Sequence, residues 1–147
     1  MAETAMQIIL GAMLLICGIQ DARKKKISVW IIAAGTILVG GCLPFIHHIL
    51  LIDRIGGVAV GVLIIMTSLI TGGKIGLGDG ILLCVTGLGL GFWGNLELFA
   101  IALLLAAIVS IGLLILRLAD RKKSIPFVPF MLLGYVFLIV ANANTGM

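Results

Sequence analysis

The chain has 147 residues, of which 62% are hydrophobic and 11% charged, whereas ordinary globular chains are about 45–50% apolar and about 25% charged. A water-soluble domain of this length could not hide so much apolar surface, so the composition excludes one and points to a single membrane-embedded domain, residues 1–147. The net charge of +4 does not indicate nucleic acid, because the basic residues flank apolar runs, where they act as topology signals.

Six apolar segments follow in chain order, at about 5–20, 28–46, 55–71, 80–94, 96–117 and 126–142. A spanning helix needs about 20 apolar residues, with a range of about 17–25. The second and fifth segments meet this; the other four are short, which leaves re-entrant or interfacial placement open, above all for 80–94. No Lys or Arg precedes the first segment, whereas a secretory signal carries its positive charge in front, so this segment is expected to be retained. Loops after the first, third and fifth segments hold Arg23, Lys24, Lys25, Lys26, Lys74, Arg117, Arg121, Lys122 and Lys123, and only Arg54 lies on the opposite side. The positive-inside rule assigns the richer face to the cytosol. The expectation is therefore an all-α polytopic protein with about six transmembrane helices and both termini outside. Asp21 and Asp79 both fall on the cytosolic side.

Twenty glycines, many inside the segments, provide small-x-x-x-small spacings at Gly57–Gly61 and Gly87–Gly91. Such spacing lets helix backbones pack closely in lipid, and is read here as packing within the chain rather than as a dimer interface. Cys17, Cys42 and Cys84 form no C-x-x-C pair and are read as inert membrane thiols. His47, His48, Asp53 and Arg54 are placed in an outer loop, where no Cys or Glu completes a metal-ligand set. No metal or other cofactor is expected.

The chemistry is concentrated at two carboxylates. Asp79 lies in Gly76-Leu77-Gly78-Asp79, followed by Gly80, at the junction of two apolar segments. An ionisable group near hydrocarbon is costly and by default marks a functional site. Flanking glycines let backbone or an extended peptide approach it. The stretch Thr71–Gly78 has four glycines in eight residues, an irregular backbone tolerated at membrane depth only where it is buried or lines a wet cavity. Gly76, Gly78, Gly80 and Lys74 are thus read as shaping the site, with the positive end of the following helix and Lys74 favouring a carboxylate. Two readings fit Asp79: a helix cap and a catalytic acid. Asp21, at the end of the first segment, is either a boundary residue or its partner. Two carboxylates about 3 Å apart, sharing one proton, can activate a water and protonate a scissile carbonyl. Because Asp21 and Asp79 are 58 positions apart, only tertiary packing could join them.

The chain resembles the type IV prepilin peptidases, membrane aspartyl proteases, in three places that together cover nearly its whole length. Asp21, basic residues, Ile27 and Trp30 look like the family's first aspartate motif. Gly76-Leu77-Gly78-Asp79 with Leu82 looks like its G-x-G-D signature. Ile125-Pro126-Phe127-Val128-Pro129-Phe130 with Gly134 is similar to the stretch that opens the family's last helix. The chain departs from the pattern at Ser28 and Val29, where the family often has Pro and Asn, and at Ile81, where it often has Lys.

The resemblance implies an endopeptidase that removes a short basic leader from pilin-like membrane precursors at the cytosolic face, with Asp21 and Asp79 catalytic. It implies a bacterial inner-membrane location and, because no cytosolic insertion with paired C-x-x-C motifs is present, no N-methyltransferase activity. Lys24, Lys25, Lys26, Pro126 and Phe127 are candidates for contact with substrate or lipid, with Pro126 and Pro129 opening the last helix. Phe127 and Phe130 would wall the site or face lipid. Two other classes stay open: a small transporter or channel subunit using its aspartates, and a non-catalytic partner in a pilus or secretion machine. Transport would favour ionisable groups at mid-membrane, where the segments are nearly all apolar and the polar Gln7 and Ser110 do not titrate usefully.

Overall fold

The computed structural model describes residues 2–24, 27–47, 49–72, 76–117 and 125–145, and among these every regular element is helical. The elements are α1 (Ala2–Lys24), α2 (Val29–Cys42) with a 3-10 turn at Leu43–Phe45, α3 (Leu51–Ile70), α4 (Leu77–Ile115) and α5 (Val128–Thr145). Three of them, over Glu3–Lys24, Leu51–Ile70 and Leu77–Ile115, are long and apolar enough to cross a membrane.

α1 carries a buried stripe of Met6, Leu10, Met13, Leu14 and Cys17, spaced three and four apart as one helix face requires. α5 answers with Val128, Met131, Tyr135 and Leu138. The two meet closely because Gly11 leaves room for the Tyr135 ring, and Gly18 for the Pro129 backbone. The buried Tyr135 donates its hydroxyl to the Gln7 carbonyl at 2.9 Å.

α4 is not one rod. Gly91 has φ 75° and ψ −172°, a conformation open to glycine and strained for other residues. Asn95 donates to the Leu83 carbonyl at 2.9 Å and accepts from the Thr86 hydroxyl at 2.7 Å. In a straight helix Leu83 and Asn95 would stand about 18 Å apart, so the chain doubles back at Gly91. The expected division between segments 80–94 and 96–117 is thus real, but it lies at Gly91 rather than at residue 95. Asn95 is a fully buried brace that also donates to the Gly57 carbonyl at 2.8 Å.

α3 packs along the first half of α4 with glycine on both sides. A Cβ on Gly57 would stand 2.5 Å from the Gly87 carbonyl oxygen, one on Gly61 2.7 Å from that of Gly80, and one on Gly87 would overlap the Gly57 carbonyl. Within the described residues the expected glycine-mediated packing is therefore made inside the chain.

Arg54 corrects a second expectation. It is not a loop residue but lies in the first turn of α3, 5% exposed. Its guanidinium donates to the carbonyls of Ile46 at 2.7 Å, Leu88 at 3.1 Å and Ile49 at 3.4 Å. Leu88 sits in the last turn before the break at Gly91, where a helix leaves carbonyls without partners. Arg54 supplies one, and so holds the turn of the α4 hairpin to the start of α3. Asp53 is beside it, against Gly91.

Candidate active site

The buried stripe of α1 runs Leu10, Leu14 (or Cys17) and then Asp21, one further turn along the same face. This points the carboxylate into the bundle rather than toward lipid. On α4 the same logic applies: Asp79 heads a face continued by the buried Leu82, Leu83 and Thr86. Both carboxylates are half-buried and line one open cleft of about 770 Å3. The fold thus brings together the two aspartates that sequence reasoning had singled out.

Asp21 is held by α5. Its Oδ2 accepts from the backbone N–H of Val128 at 3.3 Å. Val128 is the first residue of α5, the end at which a helix offers unsatisfied N–H groups and partial positive charge. The packing of Gly18 on Pro129 explains how α5 reaches it.

Asp79 is shaped by glycines. Gly76, not Asp79, occupies the N-cap of α4, and its carbonyl accepts from the N–H groups of Asp79 at 3.2 Å and Gly80 at 3.5 Å. Asp79 sits in the first helical turn, and no hydrogen bond to its carboxylate is found among the described residues. Its carboxylate lies directly over Gly76, where a Cβ would come within 2.6 Å of Oδ2. Gly78 is covered by Ile27, whose Cδ1 would be 2.6 Å from a Cβ there. Gly80 faces α3, where a Cβ would be 2.6 Å from Ile65 Cγ1. Each of the three glycines in the motif therefore makes a different close approach.

The remaining walls are apolar. Phe127, Pro126 and Ile125 line the cleft just ahead of α5, and Phe99 and Leu103 come from the second half of α4. Phe99 and Phe127 pack edge to face, with ring centroids 6.2 Å apart. Phe130 does not line the cleft and packs instead against the core. Lys24 is exposed in the last turn of α1. Lys25, Lys26 and Lys74 lie outside the described residues, as do His48, Arg121, Lys122 and Lys123. Sequence reasoning missed Phe99, the Val128 N–H, Gln20 and the contact of Ile27 with Gly78. For Phe99 no local signal existed, since it reaches the cleft only through the fold-back at Gly91.

Residues 8–111 match the model of the type IV leader peptidase family. The chain belongs to the type IV leader peptidase family. No curated protein and no solved structure gives a significant match. Both aspartates fall within the matched span, while Phe127 and Val128 lie beyond it.

Proposed function

We propose that this chain is an intramembrane aspartyl endopeptidase that removes the basic leader from prepilin-like precursors at the cytosolic membrane face. The observation that carries this reading is the presence of two carboxylates from different helices, Asp21 and Asp79, on one apolar cleft of a leader peptidase family member. The pair shares one proton. The ionised member takes a proton from water, whose oxygen attacks the carbonyl carbon of the scissile peptide bond. The protonated member donates to the carbonyl oxygen, and collapse of the tetrahedral intermediate sends a proton to the leaving amine. Val128 engages Oδ2 of Asp21, which leaves Oδ1 to face the water. The apolar walls suit a precursor whose cut bond adjoins a hydrophobic helix.

Charge distribution supports the orientation. Asp21, Arg23 and Lys24 end α1, and the hairpin returns Arg117 toward the end of the bundle that bears Asp79, while Arg54 is at the far end beside the Gly91 turn. We take the halves of α4 as separate crossings, giving six in all with both termini outside, in a single domain of the plasma membrane. Asp21→Asn and Asp79→Asn should each reduce cleavage of a prepilin-like precursor in detergent by at least 100-fold, on the order seen for loss of an acid–base group. Both variants should insert and accumulate normally. Near wild-type cutting by either one would reject its role.

A further inference from the structure

Two parts of the cleft flank the α1–α2 connection: Asp21, near the end of α1, and Ile27, two residues before α2. Among the described residues, one hydrogen bond ties the two sides of this connection together: the Gln20 Oε1 accepts from the backbone N–H of Ser28 at 3.1 Å. Ser28 is the N-cap of α2 and makes no side-chain capping bond, so the bond from Gln20 comes from outside the helix and is not part of its own cap. Ile27, immediately before Ser28, lies over Gly78, immediately before Asp79. A continuous path of contacts thus runs from Gln20, next to Asp21, through Ser28, Ile27 and Gly78 to Asp79.

We propose that Gln20 is a positioning residue, whose clasp on Ser28 sets the separation of the Asp21 and Asp79 carboxylates. This rests on the reading of that pair as catalytic. The clasp joins the residue before one aspartate to the segment that rests against the residue before the other. Gln20 does not line the cleft, so its effect is on the geometry of the pair. Without the clasp, Asp21 keeps its anchor on Val128, but Ile27 is no longer held over Gly78. Small displacements of reacting groups cost rate steeply, whereas the apolar walls that would seat the precursor stay in place. The turnover number should suffer and KM should not.

Gln20→Leu removes the acceptor at a half-buried position and keeps similar bulk. It should lower kcat about tenfold with KM changed by less than about twofold, and Gln20→Glu, which retains an acceptor oxygen at the same reach, should recover most of the loss. Ser28→Pro deletes the N–H donor at a residue whose φ of −72° already suits proline. Its effect should not add to that of Gln20→Leu, because both break one bond. Cross-linking supplies a readout that needs no cleavage. With Cys17, Cys42 and Cys84 replaced by Ala, Asp21→Cys and Asp79→Cys should be joined rapidly by a short bis-maleimide, and several-fold more slowly when Gln20→Leu is added. Unchanged kcat and unchanged cross-linking in Gln20→Leu would overturn the clasp, as would fully additive losses with Ser28→Pro. Slowed cross-linking in a protein whose Asp21→Asn and Asp79→Asn variants still cleave would keep the clasp and sink the peptidase pair instead.

Discussion

Gly76 carries more weight for Asp79 than its distance in sequence indicates. Its φ of −63° and ψ of 118° are open to any residue, so conformational freedom is not why glycine stands there. The reason is space: the Asp79 carboxylate occupies the volume a side chain would take. Gly76→Ala should therefore leave thermal stability within about 0.5 kcal/mol of wild type, as surface changes usually do, yet turn the carboxylate and lower cleavage about tenfold or more. Gly40→Ala is the control, since nothing lies within 4 Å of a Cβ there, and it should leave cleavage unchanged. Melting in detergent and precursor cleavage, measured on both variants, separate the two effects. The importance of the Gly76-Leu77-Gly78-Asp79 tetrapeptide was legible in the sequence, because a carboxylate among glycines in an apolar chain has few bland explanations. The separate duties of Gly76, Gly78 and Gly80 were not, since each is defined by a side chain whose position the fold sets: Asp79, Ile27 and Ile65 respectively.

At the scale of elements, the α3–α4 contact and the Gly91 turn decide whether the cleft exists. Gly87→Ala would drive a methyl into the Gly57 backbone, which cannot give way as the tip of a side chain can. Overpacking of this kind typically costs about 1–3 kcal/mol, and the melting temperature should fall accordingly. Gly91→Ala forces a residue with a Cβ into φ 75°, against the Asp53 carboxylate, at a strain cost of about 1–3 kcal/mol. It should also weaken cleavage, because Phe99 and Leu103 reach the cleft only when α4 folds back. A Gly91→Ala protein with wild-type stability and activity would contradict the hairpin. The six apolar segments were readable from hydropathy, but the division between the fourth and fifth was misplaced. The interruption is Gly91, whose positive φ no composition reveals. Arg54 was misread because a basic residue between apolar runs resembles a solvated loop, and only the carbonyls of Ile46, Ile49 and Leu88 make its burial affordable.

For the whole molecule, charge asymmetry makes a prediction about orientation that cleavage assays do not touch. Single cysteines at Lys24 and Leu50, and at Thr4 and Asn144 near the two ends, are at exposed positions. In a background lacking Cys17, Cys42 and Cys84, a membrane-impermeant thiol reagent added to intact cells should label Leu50→Cys, Thr4→Cys and Asn144→Cys. Lys24→Cys should be labelled only after the cells are opened. Labelling of Lys24→Cys from outside would invert the topology and remove the cytosolic precursor end from the reach of Asp21.

By itself the sequence determined the solvent, the helical class, the charge polarity and the two candidate carboxylates, because each follows from composition or from spacing along one segment. The buried stripes on α1 and on the start of α4, visible only in the fold, turn Asp21 and Asp79 inward, since each continues a buried face by whole turns. What only the tertiary structure decided is that the two faces are the same cleft. That outcome depends on Gly18 admitting Pro129, on Val128 holding Asp21, on Ile27 covering Gly78 and on Gly91 reversing α4. These are contacts between residues far apart in the chain, and periodicity carries no information about which helix will lie against which.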